Sequence, residues 1–295
     1  MSEKRYITSV AFIGLGNMGG PMASRLAGRG FKVHGFDLSP EARQRLSDAG
    51  GEAHETPSAA VASADAVILM LPSSAVVEKV ILDDEVLAAL QPGAVIIDMS
   101  SSEPGRTVKL AATLHDRGHI LLDAPVSGGV RGAESGNLTI MAGGDQAHLQ
   151  EVLPVLEKLG YTTRIGPVGA GHALKALNNL MSATHLLISS EAILAGEKFG
   201  IEPAVMLDAV NGSSGRSGST ENKWPNFILP GTFNSGFNLS LMVKDMGIAV
   251  SLAESLGVSN QLGECATALW RQAQNELPEG ADHTEIVKWL RQKTR

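Results

Sequence analysis

Short, mostly apolar runs punctuate the first half of the chain at 7–13, 31–36, 66–71 and 94–99, with two more at 120–123 and 138–142. Runs of this length, rich in aliphatic residues and without polar alternation, predict strands buried on both faces. Helix-like stretches separate several of them, at 18–30, 40–49, 146–159 and, more weakly, 58–62. Strands alternating with helices predict a doubly wound, largely parallel sheet. After Gly160 these β-like runs fade, and 172–199 is nearly continuous in helix formers with no proline. At 1.5 Å per residue that stretch spans about 40 Å, enough for a long interdomain helix. Further helices are predicted at 203–210, 241–255, 262–275 and 283–292, and the Gly- and Ser-rich 212–219 reads as a flexible loop. The pattern therefore predicts an α/β domain over 1–166 and an all-α domain over 167–295, divided near Gly166-Pro167.

Composition narrows the picture. Two domains suit 295 residues, and 43% hydrophobic with 19% charged residues is globular rather than disordered. Aromatics are only 4%, so the core must rest on aliphatic side chains. A net charge of −7 opposes binding to a phosphate backbone, and no nucleic-acid partner is expected. One cysteine, Cys265, excludes an internal disulfide framework and fits a reducing compartment. Glu3, Lys4 and Arg5 precede the first strand without a signal-peptide core, and no apolar run is long enough to span a bilayer. The expectation is a cytoplasmic protein with no membrane partner.

Chemistry concentrates at a few motifs. Gly14-Leu15-Gly16-Asn17-Met18-Gly19 follows the first strand and opens a helix. Gly14 allows the tight turn, Gly16 lets the backbone approach a pyrophosphate, and Gly19 lets the helix pack closely, as in a Rossmann dinucleotide-binding domain. Asp37 ends the second strand 18 residues after Gly19, where a carboxylate accepts hydrogen bonds from ribose hydroxyls and repels a 2′-phosphate. NAD is thereby favoured over NADP. Asp37 can also be read as a simple turn or helix cap. Leu71-Pro72-Ser73 ends a central strand, where a loop could cover the cofactor. In Asp123-Ala124-Pro125-Val126-Ser127-Gly128-Gly129, two glycines after a serine expose N–H groups and a hydroxyl that suit a carboxylate, although an ordinary glycine turn reads equally well.

Lys175 and Asn179 lie four residues apart in Gly169-Ala170-Gly171-His172-Ala173-Leu174-Lys175-Ala176-Leu177-Asn178-Asn179, and so share one helix face. A cation and an amide on an apolar helix need a polar partner, which a substrate oxygen would supply. Lys244-Asp245 is a second charged pair on an apolar helix, and alone reads as a solvated face. His172 suits helix-start packing better than acid–base work, and His185 reads as a core histidine. Asp282-His283 reads as a helix cap with a lesser chance of reaching a neighbouring subunit. No cluster has metal-ligand spacing, so no metal is expected.

Together these segments resemble the β-hydroxyacid dehydrogenase family, which includes 3-hydroxyisobutyrate dehydrogenases and tartronate semialdehyde reductases. The four matching motifs are the Gly14–Gly19 loop, the Asp123–Gly129 segment, the Gly169–Asn179 segment and Lys244-Asp245-Met246-Gly247-Ile248-Ala249. They occur in family order across essentially the whole chain. The resemblance implies an NAD(P)-dependent oxidoreductase moving a hydride between the cofactor and the hydroxyl carbon of a short 3-hydroxy acid, or its semialdehyde. Lys175 would be the general acid/base with Asn179 beside it, and Ser127, Gly128 and Gly129 would hold the substrate carboxylate. Leu71, Pro72, Ser101 and Lys244 would touch the dinucleotide, and Asp245 and Phe237 would lie at the edge of the substrate site. NADP-preferring members often carry Arg where this chain has Asp37. A homodimer or homotetramer is implied. A same-fold reductase of a sulfonate aldehyde or imine, or a non-catalytic dinucleotide binder, stays open as an alternative. Arg216 and Trp224 sit where substrate selectivity could reside.

Overall fold

The computed structural model describes residues 6–293, so Glu3, Lys4 and Arg5, on which the reading of the N-terminus rests, lie outside the described residues. The chain forms two compact units, 1–175 and 176–295.

Among the described residues the first unit is built on nine strands: β1 (Ser9–Ile13), β2 (Lys32–Phe36), β3 (Glu52–Ala53), β4 (Ala66–Leu69), β5 (Val95–Asp98), β6 (Ile120–Asp123), β7 (Val126–Ser127), β8 (Leu138–Gly143) and β9 (Gly160–Gly166). The parallel part runs in the order β3-β2-β1-β4-β5-β6, and the chain reverses its direction of travel across the sheet at β1. β8 then pairs antiparallel with β6 and β7 and parallel with β9. This is the expected doubly wound, Rossmann-type sheet.

Strand alternation explains why its central strands read as unbroken apolar runs. Val10, Phe12, Ile68 and Ile97 enter one core with Met22 and Leu26 of the helix Gly19–Ala27. Ala11, Ile13, Val67, Leu69 and Ile96 enter the other, with Val61 and Val77 from helices on the opposite face. Successive side chains point to opposite faces, so a sheet covered on both sides needs every position apolar.

The structure contains more elements than the pattern predicts. Helices Ser74–Ile81, Asp84–Ala89, Pro104–His115 and Gly129–Ser135 are short or carry weak apolar stripes. β9 replaces the expected loss of β structure after Gly160. Its Tyr161, Thr163 and Arg164 are exposed, so it lies at a sheet edge without an apolar run.

The helix Ala170–Phe199 starts in the first unit and runs on into the second, over 30 residues. The second unit adds Pro203–Asn211, Leu239–Ser255, Gln261–Glu276 and Ile286–Lys293, close to the expected helices. Ser219–Ile228, where the sequence pattern predicts no element beyond the 212–219 loop, coils in wide π-type turns. Trp224 and Trp270 are fully buried in this core, and the Trp224 indole donates to the Ser190 hydroxyl at 3.3 Å. Trp224 is therefore a packing residue, while Arg216 is exposed and faces Glu221 at 3.4 Å. His185, expected in the core, is exposed. It shares an outward stripe of the long helix with Leu177, Met181 and Ile188, all exposed. Asp282 caps the short turn His283–Glu285 in a capping box with Glu285. Among the described residues no helix is long and apolar enough to cross a membrane.

The half-buried Lys223 makes stability depend on pH. The Lys223 ammonium donates to the Ser182 hydroxyl at 2.7 Å, and burial lowers its pKa from the usual 10.5 to about 8, against the opposing pull of Asp282. Above about pH 8 the folded chain gives up this proton, whereas the unfolded chain keeps it to about pH 10.5. The unfolded state then binds more protons, so stability rises with pH across that window. Urea unfolding at pH 7.5 and pH 10 should show this rise in the native chain and a smaller one in Lys223→Met; equal rises would refute the assignment.

Candidate active site

Register places the functional loops on one edge of the sheet. Ile13 pairs with Phe36 and Leu69, Leu69 with Asp98, and Asp98 with Asp123, so five parallel strands end level. The loops that leave these strands lie along the carboxyl edge, where open α/β sheets bind ligands beside the switch point. Gly14 through Gly19, Asp37, Leu71 with Pro72, and Ser101 all sit there.

The glycine loop has the properties of a dinucleotide cradle. Gly14 has φ +96°, and a Cβ there would overlap the Met70 carbonyl oxygen. A Cβ on Gly19 would overlap the Gly14 carbonyl oxygen and crowd Phe12, which is what lets the helix approach β1 so closely. A Cβ on Gly16 would meet nothing, and Gly16 and Asn17 are exposed at the mouth of the loop. Met18 supplies no capping side chain to the helix Gly19–Ala27, leaving a positive helix end for an anion. A dinucleotide pyrophosphate fits this combination. Leu15 differs from the others: its side chain is wholly in the core, and its N–H donates to Asp37 Oδ2 at 2.7 Å.

Asp37 thus ties β2 to the glycine loop. Its other oxygen accepts the Ser39 N–H at 2.8 Å. A carboxylate has about four acceptor positions, so capacity for ribose hydroxyls remains. The nearest arginine, Arg43, donates to the Asp37 carbonyl and pairs with Glu55, both at 2.8 Å. On the other side of the switch point, the Leu71 N–H donates to the Ser100 hydroxyl at 2.9 Å, joining the loops after β4 and β5.

Ser127 pairs with Thr139 on β8, and Gly128 and Gly129 follow with φ of +128° and +61°. Only glycine adopts two successive conformations of positive φ readily, so this turn requires both glycines.

Asp123, at the end of β6, anchors the start of the long helix. Its two oxygens accept the N–H groups of Gly169 at 2.6 Å and His172 at 2.8 Å, and it is fully buried. The first N–H groups of a helix have no partner within it, and a carboxylate both satisfies them and complements the helix dipole. The glycines make the approach feasible. Gly169 has φ +91°, and a Cβ on Gly171 would overlap the Met141 carbonyl and crowd Asp123. His172 is buried, with Nδ1 2.8 Å from the Thr107 hydroxyl and Nε2 3.7 Å from Asp98. It packs the helix start against the ends of β5 and β6 and the helix Pro104–His115. In the sequence Asp123 is only the first letter of a motif, and neither Asp98 nor Thr107 stands out. A buried acid closing an apolar strand was the signal available.

Three residues beyond His172, Lys175 is 8% exposed, and Asn179, one turn further on, is 5% exposed. The Asn179 amide nitrogen donates to Asp245 Oδ2 at 2.6 Å, while its oxygen accepts from Asn178 at 3.2 Å. Asp245 is itself buried on Leu239–Ser255, with the Lys244 ammonium 3.7 Å from its other oxygen. The structure therefore joins Asn179, Lys244 and Asp245, which sequence placed in three different roles. Phe237 belongs to another cluster, edge-on to the His283 ring at 5.6 Å and beside Asp282. Burial pushes the His283 pKa down to about 4, with the Lys223 charge adding to the fall, so this ring is neutral at physiological pH.

Comparison with known proteins agrees with this architecture. Residues 9–169 match the NAD binding domain of 6-phosphogluconate dehydrogenase, and residues 169–290 match the NAD-binding of NADP-dependent 3-hydroxyisobutyrate dehydrogenase. A 3-hydroxyisobutyrate dehydrogenase from Pseudomonas aeruginosa is 37% identical, covering 97% of this chain and 100% of its own. An NAD-dependent L-serine dehydrogenase from the same organism is 38% identical over 89% of this chain and 91% of its own. The solved structure of Mycobacterium tuberculosis 3-hydroxyisobutyrate dehydrogenase with L-serine superimposes with a TM-score of 0.90 at 34% identity, covering 97% of this chain and 99% of that one. With a dinucleotide cradle at the switch point and a buried lysine on an anchored helix, the chain belongs to the β-hydroxyacid dehydrogenase family, NAD(P)-binding oxidoreductases that act at the hydroxyl carbon of small hydroxy acids.

Proposed function

We propose that this chain is an NAD-preferring dehydrogenase of a short, carboxylate-bearing 3-hydroxy acid, interconverting it with the semialdehyde through Lys175. The observation that carries the reading is the buried Lys175 on a helix whose first turn is held by Asp123. When bound, the nicotinamide supplies the hydride acceptor or donor. Lys175 takes the hydroxyl proton in oxidation and returns it to the aldehyde oxygen in reduction. Burial keeps its ammonium from wandering, so the proton stays at one place relative to the reacting oxygen.

Asn179 fixes that oxygen with an amide N–H. One N–H goes to Asp245, which sets the rotamer and leaves the second for substrate. Asp245 is thereby better read as a positioning residue than as a substrate ligand, since its charge would repel a carboxylate. The substrate carboxylate belongs to Ser127, Gly128 and Gly129. The dinucleotide would be held by the loop from Gly14 to Gly19, by Asp37, and by Leu71, Pro72 and Ser101, with Lys244 as a further contact. NAD is preferred because Asp37 stands at the ribose position, while Arg43, the arginine nearest in sequence, is engaged by Glu55.

Lys175→Ala should keep NADH binding, read by fluorescence, while kcat with 3-hydroxy acids falls at least about a hundredfold; near-normal turnover would sink the assignment. If Asp245 acts through Asn179, Asn179→Ala and Asp245→Ala should each lower kcat, and the double variant should do little more than the worse single one. Additive losses would show that Asp245 acts independently. In the native chain kcat/KM should be higher with NAD than with NADP by about tenfold or more, since a 2′-phosphate would face Asp37. Equal or better use of NADP would overturn the preference.

A further inference from the structure

At the β2–β3 edge of the sheet, strand pairing brings together three side chains that the proposed chemistry leaves unused. His34 on β2 pairs in register with Glu52 on β3, and the His54 N–H extends the same ladder by donating to the Gly35 carbonyl at 2.9 Å. Glu52 and His54 are two residues apart on an extended segment, so both turn to one face. His34 Nδ1 lies 3.1 Å from His54 Nε2 and 3.3 Å from Glu52 Oε2. His54 Nε2 lies 3.7 Å from Glu52 Oε1.

We propose that His34, Glu52 and His54 form a three-ligand site for a zinc-type divalent cation at the β2–β3 edge of the sheet. Two nitrogens bound to one tetrahedral zinc, each at about 2.0–2.1 Å, stand roughly 3.3 Å apart. The observed 3.1 Å separation needs only a small adjustment. Two imidazoles and a carboxylate are the donor set of a borderline cation rather than of calcium or magnesium, which take oxygen ligands. The carboxylate is the mobile member, since the Glu52 side chain is 67% exposed and can swing onto the ion.

The surroundings set the rings for this role. His34 is 9% exposed, and its Nε2 lies 3.3 Å from the Ser63 hydroxyl. With Ser63 accepting from Nε2–H, the lone pair falls on Nδ1, the nitrogen that faces His54 and Glu52. An outer hydrogen bond of this kind fixes the tautomer of a metal-binding histidine. Glu52 also supplies a negative charge for the dication. An ion held here would cross-link β2 to the short strand β3. The residues are 18 and 20 positions apart in the chain (34 to 52 and 34 to 54), which is why sequence spacing predicts no metal.

Calorimetric titration of the untagged, chelator-stripped full chain with ZnCl2 tests the site. One equivalent should bind with a Kd at or below about 10 µM, and His54→Ala should weaken it at least about tenfold. Zinc should also raise the thermal midpoint of the native chain and not that of His54→Ala. Zinc-free turnover and circular dichroism of His54→Ala should match the native chain, which separates this test from the proposed catalytic role. His34→Gln should reproduce the loss; if that buried replacement fails to fold, His54→Ala decides. Absence of one-equivalent binding in the native chain up to about 1 mM zinc, or undiminished affinity in His54→Ala, would overturn the proposal.

Discussion

The placement of the proposed general acid/base depends on one fully buried carboxylate, Asp123, closing a parallel strand. Its two oxygens take N–H groups from the first turn of the Ala170–Phe199 helix. A buried carboxylate is costly unless hydrogen-bonded, and helix-start N–H groups are costly unless satisfied. Each solves the other's problem. The consequence is positional: the strand end, set by the sheet, dictates where the helix begins, and Lys175 follows five residues after Ala170 (170 to 175). Gly169 and Gly171 are small for the same reason, since side chains there would prevent the approach.

The sheet that fixes Asp123 also fixes the cofactor loops. Five strands end level because their register is continuous across β2, β1, β4, β5 and β6. The register is held by alternate residues entering two different cores, so a one-residue slip would exchange the faces of a whole strand. Asp37 links this frame to the glycine loop through the Leu15 N–H. The proposed ribose contact and the loop shape therefore share one side chain, so a substitution at Asp37 would disturb the loop as well as the proposed contact.

Asn179 and Asp245 show a second arrangement, within the helical unit. Both are buried, and their 2.6 Å hydrogen bond couples the long helix to Leu239–Ser255. Lys244 beside Asp245 offsets the buried charge. A pair on separate helices, 66 positions apart (179 to 245), cannot be inferred from spacing. Family resemblance places Asp245 at the edge of the substrate site, and its contact with Asn179 is the basis of the positioning role proposed for it.

Sequence by itself determined the alternation of strands and helices, the Gly14–Gly19 loop with Asp37 behind it, and the lysine–asparagine face of the long helix. These features are local: periodicity, glycine placement and a one-turn spacing act over a few residues, and the chain carries them wherever it folds. Tertiary structure alone decided the exposed edge strand β9, the burial of Trp224, the exposure of His185, and the meetings of Asp123 with Gly169 and His172, Asn179 with Asp245, and His34 with Glu52 and His54. Each depends on strand register or helix packing between distant segments. That register is selected by burial of whole faces, a property that no short stretch of residues possesses alone.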